Sequence, residues 1–187
     1  MAYQLHADCL NEIFEYLEED KITLYSCLLV NYFWSEISVR ILWRNIWNFK
    51  NSITYKHQLK ILGTLIACLS NISKDLLIKN GIFISIPISK PPFFNYPSFC
   101  KVLSILELYT LINDVLKNYQ ISFNNQKSNN ISLNLKDKNY LVAKEIIKIF
   151  INQNSSLKRL NYCLNDNNNN NIINIPKVAC LNLFKIL

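Results

Sequence analysis

Six cysteines and two histidines are the residues of this chain best suited to nucleophilic or metal chemistry, and their spacing supports neither. Cys9, Cys27, Cys68, Cys100, Cys163 and Cys180 are scattered, with no pair two residues apart of the kind that holds zinc. His6 and His57 stand at metal-ligand distance from nothing. No glycine-rich phosphate loop, no nucleophile elbow and no paired-histidine zinc motif occurs. The acids between Asp8 and Asp20 read as one solvated helix face rather than as paired catalytic carboxylates. Cys9 and Cys27 sit among apolar residues, where a reduced thiol acts as a small hydrophobe. The chain therefore reads as a non-enzymatic binding protein without a cofactor or metal.

The elements that carry these residues are mainly helical. Half of the 187 residues are apolar and 12% are aromatic, enough for a sizeable core. Two glycines and five prolines are too few for a fold rich in tight hairpins. Leu10, Ile13, Phe14 and Leu17 follow the i, i+3, i+4, i+7 rule of one helical stripe, with Asp8 in the first turn. Asp20 is placed to cap a second helix carrying Leu24, Cys27 and Leu28. A third carries Trp34, Ile37 and Ile41 and runs on to Trp43 and Trp47.

Further along, Tyr55, Leu59, Leu62, Ile66 and Leu69 give a fourth stripe. A short helix over 74–80 is stopped by Gly81. Four prolines within 82–100 predict a surface connection. Val102, Ile105, Leu106, Tyr109, Ile112 and Leu116 form an amphipathic helix, and 124–130 reads as an exposed loop. Near the end, Leu157, Leu160, Tyr162 and Asn165 match the spacing of a leucine-rich repeat. Leu133 and Leu135 take the strand positions one period upstream. Val142, Ile146, Ile149 and Phe150 supply a helix between them, and Val178, Leu181, Leu183 and Ile186 supply a third copy. The organisation expected is a three-helix module over 1–47, a helical linker over 48–123, and an incomplete α/β repeat array over 124–187. The asparagine run 167–171 reads as an insertion in it.

Charge is divided unevenly. Residues 1–50 hold seven acids and four bases, whereas the remainder holds six and sixteen. The bases are single lysines rather than runs, which reads as a solvated surface and makes nucleic acid an improbable partner. The acids near the N-terminus argue against a signal peptide, and the apolar run 61–69 falls well short of the roughly 20 residues that cross a bilayer. The expectation is a soluble protein of the cytoplasm, the nucleus or both.

The stretch from Leu5 to Arg44 resembles the F-box family. Its pattern is met by Leu5, Leu10, Ile13, Phe14 and Leu17, by Asp20, Ser26, Cys27 and Val30, and by Trp34, Leu42, Trp43 and Arg44. The resemblance implies a three-helix module that binds a Skp-family adaptor and, through it, a cullin-RING ubiquitin ligase. The rest of the chain would then present an unknown protein substrate. It implies adaptor-binding roles for Leu5, His6, Leu10, Ile13, Phe14, Leu17, Val30 and Trp34. Histidine stands at position 6 where the family has proline, which implies weaker docking. Two rivals are an F-box protein in a non-ligase assembly or without a substrate, and a small basic helical protein that binds nucleic acid.

Overall fold

The computed structural model describes residues 6–47, 54–84, 92–123, 133–153 and 157–161, and within them the chain is mainly α-helical. Three helices come first: α1 (Ala7–Tyr16), α2 (Lys21–Cys27) and α3 (Tyr32–Leu42). Side-chain caps start two of them. Asp20 Oδ1 accepts from the Thr23 N–H at 3.1 Å, and Asn31 Oδ1 accepts from the Trp34 N–H at 2.9 Å. The apolar stripes close over a small core of Leu10, Phe14, Leu24, Cys27, Ile37 and Ile41. Helix α3 ends at Leu42 instead of running on to Trp47, and residues 43–47 turn away. The turn carries Trp43 and the buried Trp47 off the first core and into a second.

That second core is larger. It is built from α4 (Tyr55–Ala67), α5 (Asn71–Lys79), α6 (Tyr96–Phe99), α7 (Ile105–Phe123) and α8 (Leu135–Gln153). Two three-residue strands, β1 (Val102–Ser104) and β2 (Arg159–Asn161), pair in parallel with Leu103 opposite Leu160. Leu62, Leu65, Leu103, Leu108, Ile112, Ile146 and Phe150 lie at its centre. Residues expected to belong to a linker and to a repeat array thus share one core.

Three expectations change here. Val102 lies in β1, so the amphipathic helix opens later, at Ile105. The connection over 82–100 is not all surface: Ile82, Ile84, Pro97 and Cys100 are buried, and α6 forms with Pro97 in its first turn. The strand expected at Leu133 and Leu135 is absent, because Asn134 Oδ1 accepts from the Asp137 N–H at 2.9 Å and starts α8 at Leu135. Strand β2, near the expected site, pairs with β1 across two long helices rather than with a strand one short repeat upstream. The remainder of the proposed array, with Tyr162, Asn165 and the third copy, lies outside the described residues, as does the loop 124–130.

Gly81 stops α5 as expected. Its φ is +68°, the Ile82 N–H donates to the Leu77 carbonyl at 3.0 Å, and the Gly81 N–H donates to the Ile78 carbonyl at 2.9 Å. These two bonds with buried Leu77 and Ile82 form a Schellman cap. A Cβ at Gly81 would meet only Lys138 Nζ, at 3.7 Å, so the cost of replacing it is conformational. Gly81→Ala should lower unfolding stability by about 1–2 kcal/mol in urea titration, and Gly81→Asn by less.

Candidate adaptor-docking surface

The site expected from the sequence lies on α1, α2 and α3, and burial sorts its residues into two sets. Leu10 is 4% exposed and Phe14 1%, so both form the core of the module and neither is open to a partner. Trp34 is partly buried and meets Phe14 edge to face, ring centroids 5.3 Å apart. Leu17 is also partly buried against this core. Ile13 and Val30 are open, at 49% and 56% exposed. The residues best placed on one helical stripe therefore seal the module, while Ile13, at the stripe's edge, does not. Leu5 lies outside the described residues.

Outward-facing apolar groups gather around the α2–α3 turn, several at positions the sequence pattern did not single out. Tyr25, Leu29, Val30 and Tyr32 are all more than half exposed, and Leu29 reaches 89%. Chain length is the cause: three helices of 10, 7 and 11 residues cannot enclose all their apolar side chains. Tyr32 extends this region toward 93–96, with its ring 5.5 Å from Phe93 and stacked 5.9 Å from Phe94.

The orientation of α1 on α3 is fixed by polar contacts along one seam. Arg40 Nη2 donates to Asn11 Oδ1 at 2.7 Å, and Arg44 Nη2 donates to Glu15 Oε1 at 2.6 Å. Arg44 Nη1 also lies 3.4 Å from Glu18 Oε1. Two of the acids expected to be merely solvated thus bind an arginine. The hydrogen bond from Arg44, reinforced by its charge, holds the Glu15 carboxyl below the ordinary glutamate range despite a smaller opposing effect of burial. The same bond raises Arg44. In sequence the match was visible as Asn11, Glu15 and Glu18 on one face against Arg40 and Arg44 one turn apart.

No family model, curated protein or solved structure matches this chain. His6 is the N-cap of α1, with φ −59° and ψ 143°, and its ring is exposed 3.5 Å from Asp8. That backbone is one a proline adopts without strain. Cys9 is exposed on α1, contrary to the expectation of a small buried hydrophobe, because the Leu10–Phe14 side of the helix faces inward. Burial pushes the thiols of Cys27 and Cys100 up, and that of Cys68 up to about 11, so none of these three is an activated nucleophile. Among the described residues no cluster of three metal-binding side chains forms, and no helix is long and apolar enough to cross a membrane.

Two stability measurements test this geometry. Phe14→Ala should cost about 3–5 kcal/mol, whereas Leu29→Ala should stay within about 0.5 kcal/mol of the parent by urea unfolding. The Glu15–Arg44 pair should also shape the acid limb of stability. Its contribution is complete above the ordinary glutamate range and is lost as pH falls through the lowered Glu15 value. Arg44→Met should flatten that limb by no more than about 1 kcal/mol, because Glu15 is half open to solvent.

Proposed function

We propose that this chain is an F-box-type adaptor, the substrate-recognition subunit of an SCF-type cullin-RING ubiquitin ligase. It works by binding, with chemistry left to partner subunits. The observation that carries this reading is the outward-facing apolar side chains of the N-terminal module. Seven of the fourteen exposed large apolar side chains among the described residues lie between Ile13 and Tyr32, in a module that makes up about a third of those residues. Apolar groups concentrated in this way mark a protein interface. The motif register from Leu10 to Arg44 supports the same reading and names the partner as a Skp-family adaptor. The docking residues are then Ile13, Val30 and the partly buried Trp34, joined by Tyr25, Leu29 and Tyr32, while Leu10, Phe14 and Leu17 support them from beneath. The second core, anchored to the module through Trp43 and Trp47, is the side that presents a substrate, and the place of work is the cytoplasm or nucleus.

Affinity capture with purified Skp-family adaptor tests the proposal. The wild-type chain should retain the adaptor, and the double variant Leu29→Glu/Val30→Glu should lose more than about 2 kcal/mol of binding, roughly thirtyfold. Both substitutions are at exposed positions, so helical circular dichroism and melting temperature should be unchanged. Failure of the wild type to capture the adaptor would sink the reading; equal capture by both forms would move the docking site elsewhere. His6→Pro should raise stability by about 0.4–1 kcal/mol and strengthen capture, since the cap geometry already suits proline.

A further inference from the structure

A chain of aromatic rings leads from the α2–α3 turn to the second core, and its outermost ring lies outside the helical module. Tyr32, the first residue of α3, is 59% exposed and meets Phe93 edge to face, centroids 5.5 Å apart. Phe93 meets Phe94 in the same way at 5.0 Å, and Tyr32 stacks on Phe94 at 5.9 Å. Behind this trio Phe94 touches Tyr96 at 6.0 Å and Phe99 at 6.5 Å, and Tyr96 rests on Trp43 at 4.7 Å. Trp43 packs against the second core.

Burial is graded along the chain. Phe94, Tyr96, Phe99 and Trp43 are partly buried, whereas Phe93 is 76% exposed. The open ring is held on two sides by Tyr32 and Phe94, so covering it costs little side-chain freedom. Rigid aromatic rings backed by packed neighbours are the anchors on which the affinity of an interface concentrates.

Tyr32 belongs to two groups at once. It lies within three residues of the open Leu29 and Val30, and its ring touches Phe93. The apolar surface of the turn therefore continues past the module onto the segment 92–99, which carries α6 of the second core. A stable interface buries about 800 Å² on each partner, a patch on the order of 30 Å across. Phe93 is a single ring contact from Tyr32, well inside such a patch. A protein seated on Leu29, Val30 and Tyr32 meets Phe93 as well.

We propose that the adaptor-docking surface runs across both cores, from Leu29 and Val30 over Tyr32 to Phe93. This rests on the function proposed above and sets the far edge of that same site. The motif pattern from Leu5 to Arg44 covers no position of 92–99, so Phe93 is an anchor that the family resemblance does not supply. One apolar groove of the adaptor covers Val30 and Tyr32 on the module and Phe93 beside α6. Docking then braces the two cores at a second place, apart from the turn over 43–47. The core that presents a substrate is held against the adaptor directly, not only through the module.

The test titrates the full chain with purified Skp-family adaptor by biolayer interferometry. Phe93→Asp should raise Kd at least about tenfold, and Phe93→Leu no more than about threefold. Phe83→Asp is the control: it puts the same charge on an exposed phenylalanine outside these ring contacts, and it should bind like wild type. Because Phe93→Asp also removes contacts to Tyr32 and Phe94, a photocrosslinker separates docking from packing. With benzoylphenylalanine in place of Phe93, irradiation should join the chain to the adaptor. Wild-type affinity in Phe93→Asp, or an equal loss in Phe83→Asp, would overturn the proposal. Absence of the adaptor crosslink would do the same and make the ring structural; a crosslink between two copies of this chain would make the face one of self-association. A wild-type chain that captures no adaptor removes both readings. Capture that is indifferent to Phe93→Asp removes this one alone.

Discussion

The end of α3 and the turn after it tie the two cores together, because Leu42, Trp43, Arg44 and Trp47 are each committed to a different neighbour. Leu42 completes the first core, and Trp43 packs into the second with its ring 4.7 Å from Tyr96. Arg44 reaches back to Glu15 and Glu18 while its carbonyl accepts the Lys101 N–H at 2.8 Å. Trp47 is buried, and its indole N–H donates to the Val102 carbonyl. Lys101 in turn accepts from the Lys158 and Arg159 N–H groups, so a single line of contacts runs from α1 to the strand pair.

This arrangement explains how so small an N-terminal module can keep a fixed shape. Three short helices have little interior, and a helical hairpin of this size is marginal alone. Phe14 and Leu24 lie at its centre, fully buried. The Asn11–Arg40 and Glu15–Arg44 contacts set the angle of α1 on α3, and the two tryptophans anchor the end of α3 in the larger core. With its own apolar residues inside and its last turn held from outside, the module is left with Tyr25, Leu29, Val30 and Tyr32 facing solvent. These surplus groups are the physical basis of the proposed docking.

The second core follows a different logic. Helices α7 and α8, each 19 residues long, are spanned at one end by a strand pair of only three residues each. Such a short sheet contributes little alone; Leu103, fully buried, shows that its role is to close the helical core. Helix α5 is the exception within this layer. It leaves Ile72 exposed and buries Leu77 with the stem of Lys74, and Ser73 bonding Glu145 and the Gly81 cap help to set its orientation.

Helix positions were legible in the sequence because they depend on local spacing and on residues a few positions apart. The stripe through Leu10 and Phe14, the Asp20 cap and the Gly81 stop are all contacts within one or two turns. Parallel pairing of 102–104 with 159–161 was not legible, since three-residue strands carry no periodicity and their partner is distant in the chain. The repeat spacing around Leu133 misled for the same reason: leucines at strand spacing also fit the start of a helix once Asn134 caps it. For the candidate site, the sequence alone determined which residues are apolar and where the helices run. Only the tertiary structure decided that Phe14 lies inside while Leu29 lies outside, because burial depends on which faces of packed helices meet.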